Sequence, residues 1–240
     1  MGRTFTWTSS NPAVATVDIN GQVMFLAAGS ATITARTAFR TASITITALE
    51  RRFLVMDAAE DYTCGLTALG RGYCWGNADG GRTAAGADST CFGQGGTAGC
   101  ILPPKRMNRP DLAFTSSSTG VTVACGIVTE QVYCWGSDDS GQIGNGQDGA
   151  GATPSLATVK NHRFTAVSAG GSHACALNQA GTAYCWGSDE FGQLGDTIPT
   201  VPPPVHSTTP IPVGDTTLVF SAISAGAQHT CALTIAGAAY

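Results

Sequence analysis

Small apolar residues alternate with hydroxyl residues through Ala31-Thr32-Ile33-Thr34-Ala35, the two-residue period of a strand with one face buried and one wet. The same pattern predicts strands over Thr4 to Thr8, Val14 to Val17 and Val23 to Leu26, parted by Ser9-Ser10-Asn11-Pro12 and a tight turn at Asp18-Ile19-Asn20-Gly21. After about Phe53 the pattern changes. Around Cys175-Ala176-Leu177-Asn178 and Thr182-Ala183-Tyr184-Cys185-Trp186-Gly187, alternation puts Cys175, Leu177, Ala183 and Cys185 on one face and Ala174, Ala176, Tyr184 and Trp186 on the other. Both faces are apolar, which suits short antiparallel strands covered on both sides.

This hairpin recurs. Phe53, Phe114, Phe164 and Phe220 are spaced by 61, 50 and 56 residues, and Cys64, Cys125, Cys175 and Cys231 by the same 61, 50 and 56. Two markers in one register at this period predict a propeller or solenoid. Folding each hairpin on its turn sets Cys64 opposite Cys74, Cys125 opposite Cys134 and Cys175 opposite Cys185. It also sets Gly65, Gly126 and Ala176 opposite Tyr73, Tyr133 and Tyr184, a small residue making space for each ring. The fourth copy stops at Tyr240, so the expected partner of Cys231 is the next residue and the last blade is expected to be interrupted, with an exposed edge.

Eight of the nine cysteines fall into neighbouring couples: the three above, and Cys91 with Cys100. Cys231 is left as an orphan thiol. Couples on facing strands can bridge at non-hydrogen-bonded positions, where the Cβ atoms approach most closely. A loop of about ten residues closed in this way contributes about 2.7 kcal/mol on the chain-entropy model. Such bridges persist in oxidising compartments, which predicts an extracellular or cell-surface protein whose export signal lay upstream.

Charge narrows the partners. Only 12% of the residues are charged and the net charge is -4, and Arg51-Arg52 and Lys105-Arg106 are too sparse for a phosphate-gripping surface. No nucleic acid is expected. No apolar run reaches the roughly 18 residues of a membrane span. Met1-Gly2-Arg3-Thr4-Phe5-Thr6 fits the myristoylation pattern in form, but nothing else points to a lipid anchor.

Through Trp7-Thr8-Ser9-Ser10-Asn11-Pro12, Val14-Ala15-Thr16-Val17-Asp18, Asn20-Gly21 and Gly29-Ser30-Ala31-Thr32-Ile33, the first segment resembles the bacterial immunoglobulin-like group 2 family, with its first strands missing. Through Ser168-Ala169-Gly170-Gly171-Ser172-His173-Ala174-Cys175, Tyr184-Cys185-Trp186-Gly187-Ser188-Asp189 and Gly192-Gln193-Leu194-Gly195, the remainder resembles the regulator-of-chromosome-condensation repeat family, a β-propeller that usually has seven blades. Repeat two repeats this with Tyr133-Cys134-Trp135-Gly136-Ser137-Asp138 and Gly141-Gln142-Ile143-Gly144, and repeat four with Ser224-Ala225-Gly226-Ala227-Gln228-His229-Thr230-Cys231. Repeat one departs from it, with Gly81-Arg82-Thr83-Ala84 in place of the Gly-Gln-Leu-Gly turn and an inserted Cys91 to Cys100 loop.

The expectation is an all-β chain: an incomplete immunoglobulin-like β-sandwich over 1–48, then a partial β-propeller of about three and a half blades over 53–113, 114–163, 164–219 and an incomplete 220–240.

Candidate chemistry is sparse. His173 with Cys175, and His229 with Cys231, point to one strand face each, but a bridged cysteine offers no thiolate and two residues do not make a metal site. The histidines are expected to satisfy buried backbone groups. Trp75, Trp135 and Trp186 are expected to pack between blades. Asp138-Asp139 and Asp189-Glu190 lack the spaced oxygens of a calcium loop and are expected to be solvated turn carboxylates. No catalytic, cofactor or metal residues are expected, and therefore no enzyme. Function is expected in the variable connections Asn77 to Pro103 and Thr197 to Pro210, the second stiffened by the Pro199 to Pro204 region. The leading expectation is a module that binds an unknown protein or cell-surface macromolecule. The alternatives are guanine-nucleotide exchange, which the resemblance implies, and an inhibitory propeller.

Overall fold

The computed structural model describes residues 5–26, 29–48, 52–93, 96–149, 151–157, 163–196 and 205–240. Two compact units form, Met1–Arg52 and Phe53–Tyr240.

In the first unit, β1 (Thr6–Ser9), β4 (Gly29–Arg36) and β5 (Thr41–Ala48) make one antiparallel sheet in the order β1-β4-β5, while β2 (Ala15–Val17) pairs with β3 (Val23–Phe25). Alternation divides the β4–β5 ladder. Ala31 packs with Val14 and Ala15, and Ile33 is buried, while Ser30, Thr32 and Thr34 bond Thr47, Thr45 and Ser43 across the wet face. The Asp18 carboxylate closes the expected turn by accepting the Asn20 and Gln22 amides. Gly21 completes it at φ +84, where an added Cβ would strike the Trp7 ring at 2.7 Å.

The second unit is a fan of sheets. The first joins β6 (Phe53–Ala58), β7 (Tyr62–Thr67), β8 (Gly72–Asn77), β9 (Ser89–Gly93) and β10 (Gly96–Arg106) in the order β6-β7-β8-β10-β9. The second contains β11 (Ser116–Thr119), β12 (Val123–Val128), β13 (Gln131–Gly136) and β14 (Gly151–Leu156), and the third β15 (Phe164–Ala169), β16 (His173–Asn178), β17 (Ala183–Ser188) and β18 (His206–Pro212), both in chain order. A two-stranded fourth comprises β19 (Phe220–Ala225) and β20 (Thr230–Thr234). These are blades of a β-propeller, with β6, β11, β15 and β19 side by side. Ala232 exchanges both backbone bonds with Tyr240, so the fourth hairpin holds the register in which Ala176 faces Tyr184.

The outer strands occupy sequence read above as variable connection. Asn77 to Pro103 contains β9 and most of β10, and β18 covers His206 to Pro210; residues 197–204, with the Pro199 to Pro204 region, lie outside the described residues. Proline hid these strands. Their ladders break between Ile101 and Lys105, and opposite Cys134/Gly136 and Cys185/Gly187, the intervals that hold Pro103, Pro104, Pro154 and Pro210. A residue without an N–H is tolerated at such a break.

Each blade keeps the two-faced chemistry. Cys64, Leu66 and Cys74 pack against Phe114, Ala124 and Trp135 of the second blade. Cys125, Ile127, Val132 and Cys134 do the same against Phe164, Ala176 and Trp186 of the third. Cystine faces look toward the following blade and aromatic faces toward the preceding one.

Candidate functional site

The bridged pairs Cys64–Cys74, Cys125–Cys134 and Cys175–Cys185 are directly opposed, each with Cα atoms 4.1 Å apart. Cys91–Cys100 differs: Cys91 pairs with Ala98 and Cys100 with Ser89, so this bridge runs diagonally at 5.8 Å. Cys231 carries a free, exposed thiol.

The small residue opposite each tyrosine has another cause than the one expected. A Cβ on Gly126 would meet the Phe114 ring at 2.6 Å, and one on Gly65 the Phe53 ring at 2.8 Å. The phenylalanine lies over the gap, and the tyrosine meets it edge-on in Phe53–Tyr73, Phe164–Tyr184 and Phe220–Tyr240.

The tryptophans divide. Trp135 Nε1 donates to the Arg82 carbonyl at 3.0 Å, and Trp186 Nε1 to the Gln142 carbonyl at 2.9 Å, each reaching the preceding blade. Trp75 instead packs within its own blade, on Ala78, Ala85, Ile101 and Phe53. Arg82 holds the place of Gln142 despite its different side chain. Its carbonyl still receives an indole, and its guanidinium pairs with Asp61 at 3.0 Å, where Gln142 reaches Thr122.

Asp138 and Asp189 correct the expectation of solvated turn carboxylates. They are only 2% and 6% exposed, and each accepts a backbone N–H at 2.9 Å, from Ile143 and Leu194. They lock the Gly-Gln-Ile/Leu-Gly turns that receive the indoles. Burial pushes the Asp138 carboxyl up to about 6, against the Ile143 bond, with Asp148 and Asp139 adding to the rise.

The two histidines also part company. His229 is exposed over Gly226, whereas His173 is buried, with Nε2 2.9 Å from Thr230 Oγ1 of the fourth blade. The Thr230 hydroxyl donates to the Gln193 carbonyl at 2.9 Å, so His173 Nε2 must carry the proton. His173 thus serves a side-chain chain between blades rather than a backbone group. Burial, with His229 nearby, pulls its pKa down to about 4. Tyr62 fills the same position in the first blade, its hydroxyl donating to the Gly120 carbonyl at 2.8 Å. Among the described residues no three His, Cys, Asp or Glu side chains converge for a metal.

One repeated contact was missed in the sequence. Opposite each hairpin cysteine sits Asp57, Ser118 or Ser168, and their side chains accept the amides of Thr119, Ala169 (3.0 Å) and Ala225 (2.9 Å) on the next inner strand. An oxygen-bearing side chain seven residues before each cysteine was the available signal.

The inserted segment stands out from this locked scaffold. Its bridged β9–β10 hairpin extends the first blade to five strands and exposes Phe92 at 88%, while Leu102, farther along β10, is exposed at 66%. Large apolar side chains so exposed on a rigid hairpin can dock another protein.

Comparison with known proteins agrees with the fold. A model of the regulator of chromosome condensation (RCC1) repeat matches residues 130–177 and 180–233, and a second model of that repeat matches 164–193. An intimin immunoglobulin-like domain matches residues 2–39. The chain is 30% identical over 133 residues to the mitochondrial RCC1 domain-containing protein RUG3 of Arabidopsis thaliana, covering 52% of this chain and 29% of that protein. It is 29% identical over 188 residues to the probable E3 ubiquitin-protein ligase HERC6 of Homo sapiens, covering 75% of this chain and 17% of that one. The regulator of chromosome condensation of Drosophila melanogaster is 31% identical over 179 residues, with 71% and 29% covered. Among solved structures, yeast RCC1 (Prp20) bound to Kap60 superposes with a TM-score of 0.66 at 16% identity, covering 88% of this chain and 53% of that one. Human WBSCR16 gives 0.64 at 15%, covering 86% and 57%. The chain therefore spans less than a third of these curated relatives and little more than half of these solved chains.

Proposed function

Residues 130–177 and 180–233 are repeats of the regulator of chromosome condensation family, and on that premise we propose that the chain is a non-catalytic protein-binding module of a secreted or cell-surface bacterial protein. The observation that carries this reading is the cystine-stapled β9–β10 hairpin, with Phe92 and Leu102 held out in solvent. Four disulfide bridges favour an oxidising compartment, and the match of residues 2–39 to an intimin immunoglobulin-like domain supports the cell-surface reading. Relatives lend the binding role support: yeast RCC1 was solved bound to Kap60, and Prp20p of Saccharomyces cerevisiae was solved together with its binding properties to Gsp1p and histones.

The test is capture from bacterial and host surface extracts by the immobilised chain, compared with the double variant Phe92→Ser, Leu102→Ser. The reading requires a protein retained by the first and lost by the second, with unchanged circular dichroism. Equal retention removes the hairpin from the interface. Stimulated nucleotide release from a small GTPase would replace this reading with an exchange factor.

A further inference from the structure

Three of the four cystines are sealed inside the propeller, and the fourth is not. Cys64, Cys74, Cys125, Cys134, Cys175 and Cys185 are at most 2% exposed. Cys64–Cys74 lies under Phe114, Ala124 and Trp135, and Cys125–Cys134 under Phe164, Ala176 and Trp186. Cys91–Cys100 belongs to the inserted hairpin, at the outer edge of the first blade. Its Cys100 is buried, but Cys91 is only half-buried, on the edge strand β9. A thiolate must reach a sulfur to exchange with it, so burial protects the other three bridges and leaves Cys91 as the point of attack.

The same bridge holds β9 in place. β10 is tied to the blade without it: Cys100 and Ile101 pair with Asn77 and Gly76 of β8, the Ile101 side chain is buried with Ala78 and Ala85, and the Gly99 amide donates to the Asp79 carboxylate at 3.0 Å. β9 has no such anchor. Among the described residues it pairs with β10 alone, and its one large apolar side chain, Phe92, is 88% exposed. A two-stranded ladder without a buried face is marginal in water, so the diagonal staple from Cys91 to Cys100 is what keeps β9 on the blade.

We propose that Cys91–Cys100 is a disulfide-exchange site for an external dithiol, and that its reduction releases β9 while the blades stay folded. One thiolate of the dithiol attacks Cys91 Sγ. The Cys91–Cys100 bond breaks, a mixed disulfide forms on Cys91, and Cys100 leaves as a thiolate that takes up a proton. The second sulfur of the dithiol, as its thiolate, then displaces Cys91 Sγ and closes the reagent's own disulfide. The protein gains the two electrons and two protons that the dithiol gives up. On the binding reading above, release of Phe92 also switches docking off; the exchange itself does not depend on that reading.

The probe is dithiothreitol acting on the folded Cys231→Ser chain, which lacks the free thiol. The reaction is stopped at intervals with N-ethylmaleimide, the remaining bridges are reduced and labelled with iodoacetamide, and the peptides are resolved by mass. Cys91 and Cys100 should take the maleimide at least about tenfold faster than Cys64, Cys74, Cys125 and Cys134, because a buried bridge reacts only when its blade opens. Amide hydrogen exchange over Ser89–Gly93 should accelerate by a similar factor on reduction, and likewise in the Cys91→Ser, Cys100→Ser chain, while β12 and β13 keep their protection. Reduction of all the bridges at one rate overturns the exchange site. Unchanged hydrogen exchange in β9 overturns its release. Neither readout uses a docking partner, so failure here is distinct from failure of the binding reading.

Discussion

Trp186 Nε1 donates to the carbonyl of Gln142, 2.9 Å away across the boundary between the second and third blades. The ring is fully buried there against the second blade's cystine face. Trp186→Ala is expected to cost about 3–5 kcal/mol, and Trp186→Phe about 1–2, since the second keeps a ring but leaves the carbonyl unpartnered. Trp75→Ala is expected to cost less, because Trp75 is half-buried within its own blade. Urea unfolding followed by near-ultraviolet circular dichroism gives the order; equal costs would contradict it.

Acid stability should reflect two buried groups of opposite sign. His173 is held at about 4, below its ordinary 6.5, so its contribution is complete above pH 6.5 and is lost as pH falls through 4. Asp138 is raised from 3.8 to about 6, so its contribution is complete below pH 3.8 and is lost as pH rises through 6. The two slopes oppose each other between pH 6 and 4. Asp138→Asn should therefore steepen the loss of stability on acidification, and His173→Gln should flatten it. Urea midpoints at pH 7, 5 and 4 decide the matter, and parallel profiles for all three proteins would rule the account out.

Gly126→Ala should destabilise the second blade by about 1–3 kcal/mol, the usual cost of overpacking. The new methyl would meet the Phe114 ring at 2.6 Å and the Ser116 carbonyl at 2.9 Å. The double variant Gly126→Ala, Phe114→Leu should recover part of the loss. Adding Tyr133→Leu to Gly126→Ala instead should not, because the phenylalanine is the group that demands the space.

Thiol titration of the unfolded, unreduced chain should find one thiol, Cys231, and titration after reduction should find nine. Replacing Cys125 and Cys134 together by serine should cost about 2–4 kcal/mol. Nine thiols in the unreduced exported protein would defeat the oxidising-compartment reading.

Asp189→Ala should cost about 1–3 kcal/mol by stranding the buried Leu194 amide, which the carboxylate accepts at 2.9 Å. Asp189→Asn, which keeps an acceptor, should cost less. Equal losses, measured by the same unfolding assay, would deny the carboxylate its role in the turn.

Local pattern carried the hairpins. Cys175 across from Cys185, Ala176 across from Tyr184, and the matching pairs in the other repeats follow from two-residue alternation and a turn centre, both properties of a short stretch of chain. The apolar character of both strand faces likewise fixed that blades would pack face to face, because such a sheet cannot leave either side in water.

What each side chain touches across a blade boundary was decided only in three dimensions. Asp138 and Asp189 have the composition of solvated turns, yet both are buried, each accepting the amide five residues farther on. Trp75, Trp135 and Trp186 share one sequence position, yet only the last two meet a preceding turn. The glycine opposite Tyr133 answers to Phe114, twelve residues earlier in the chain. Alternation within a strand is set by backbone geometry and can be read one residue at a time. Contacts between sheets depend on how far apart and at what twist the sheets stack, and no single stretch of sequence carries that distance.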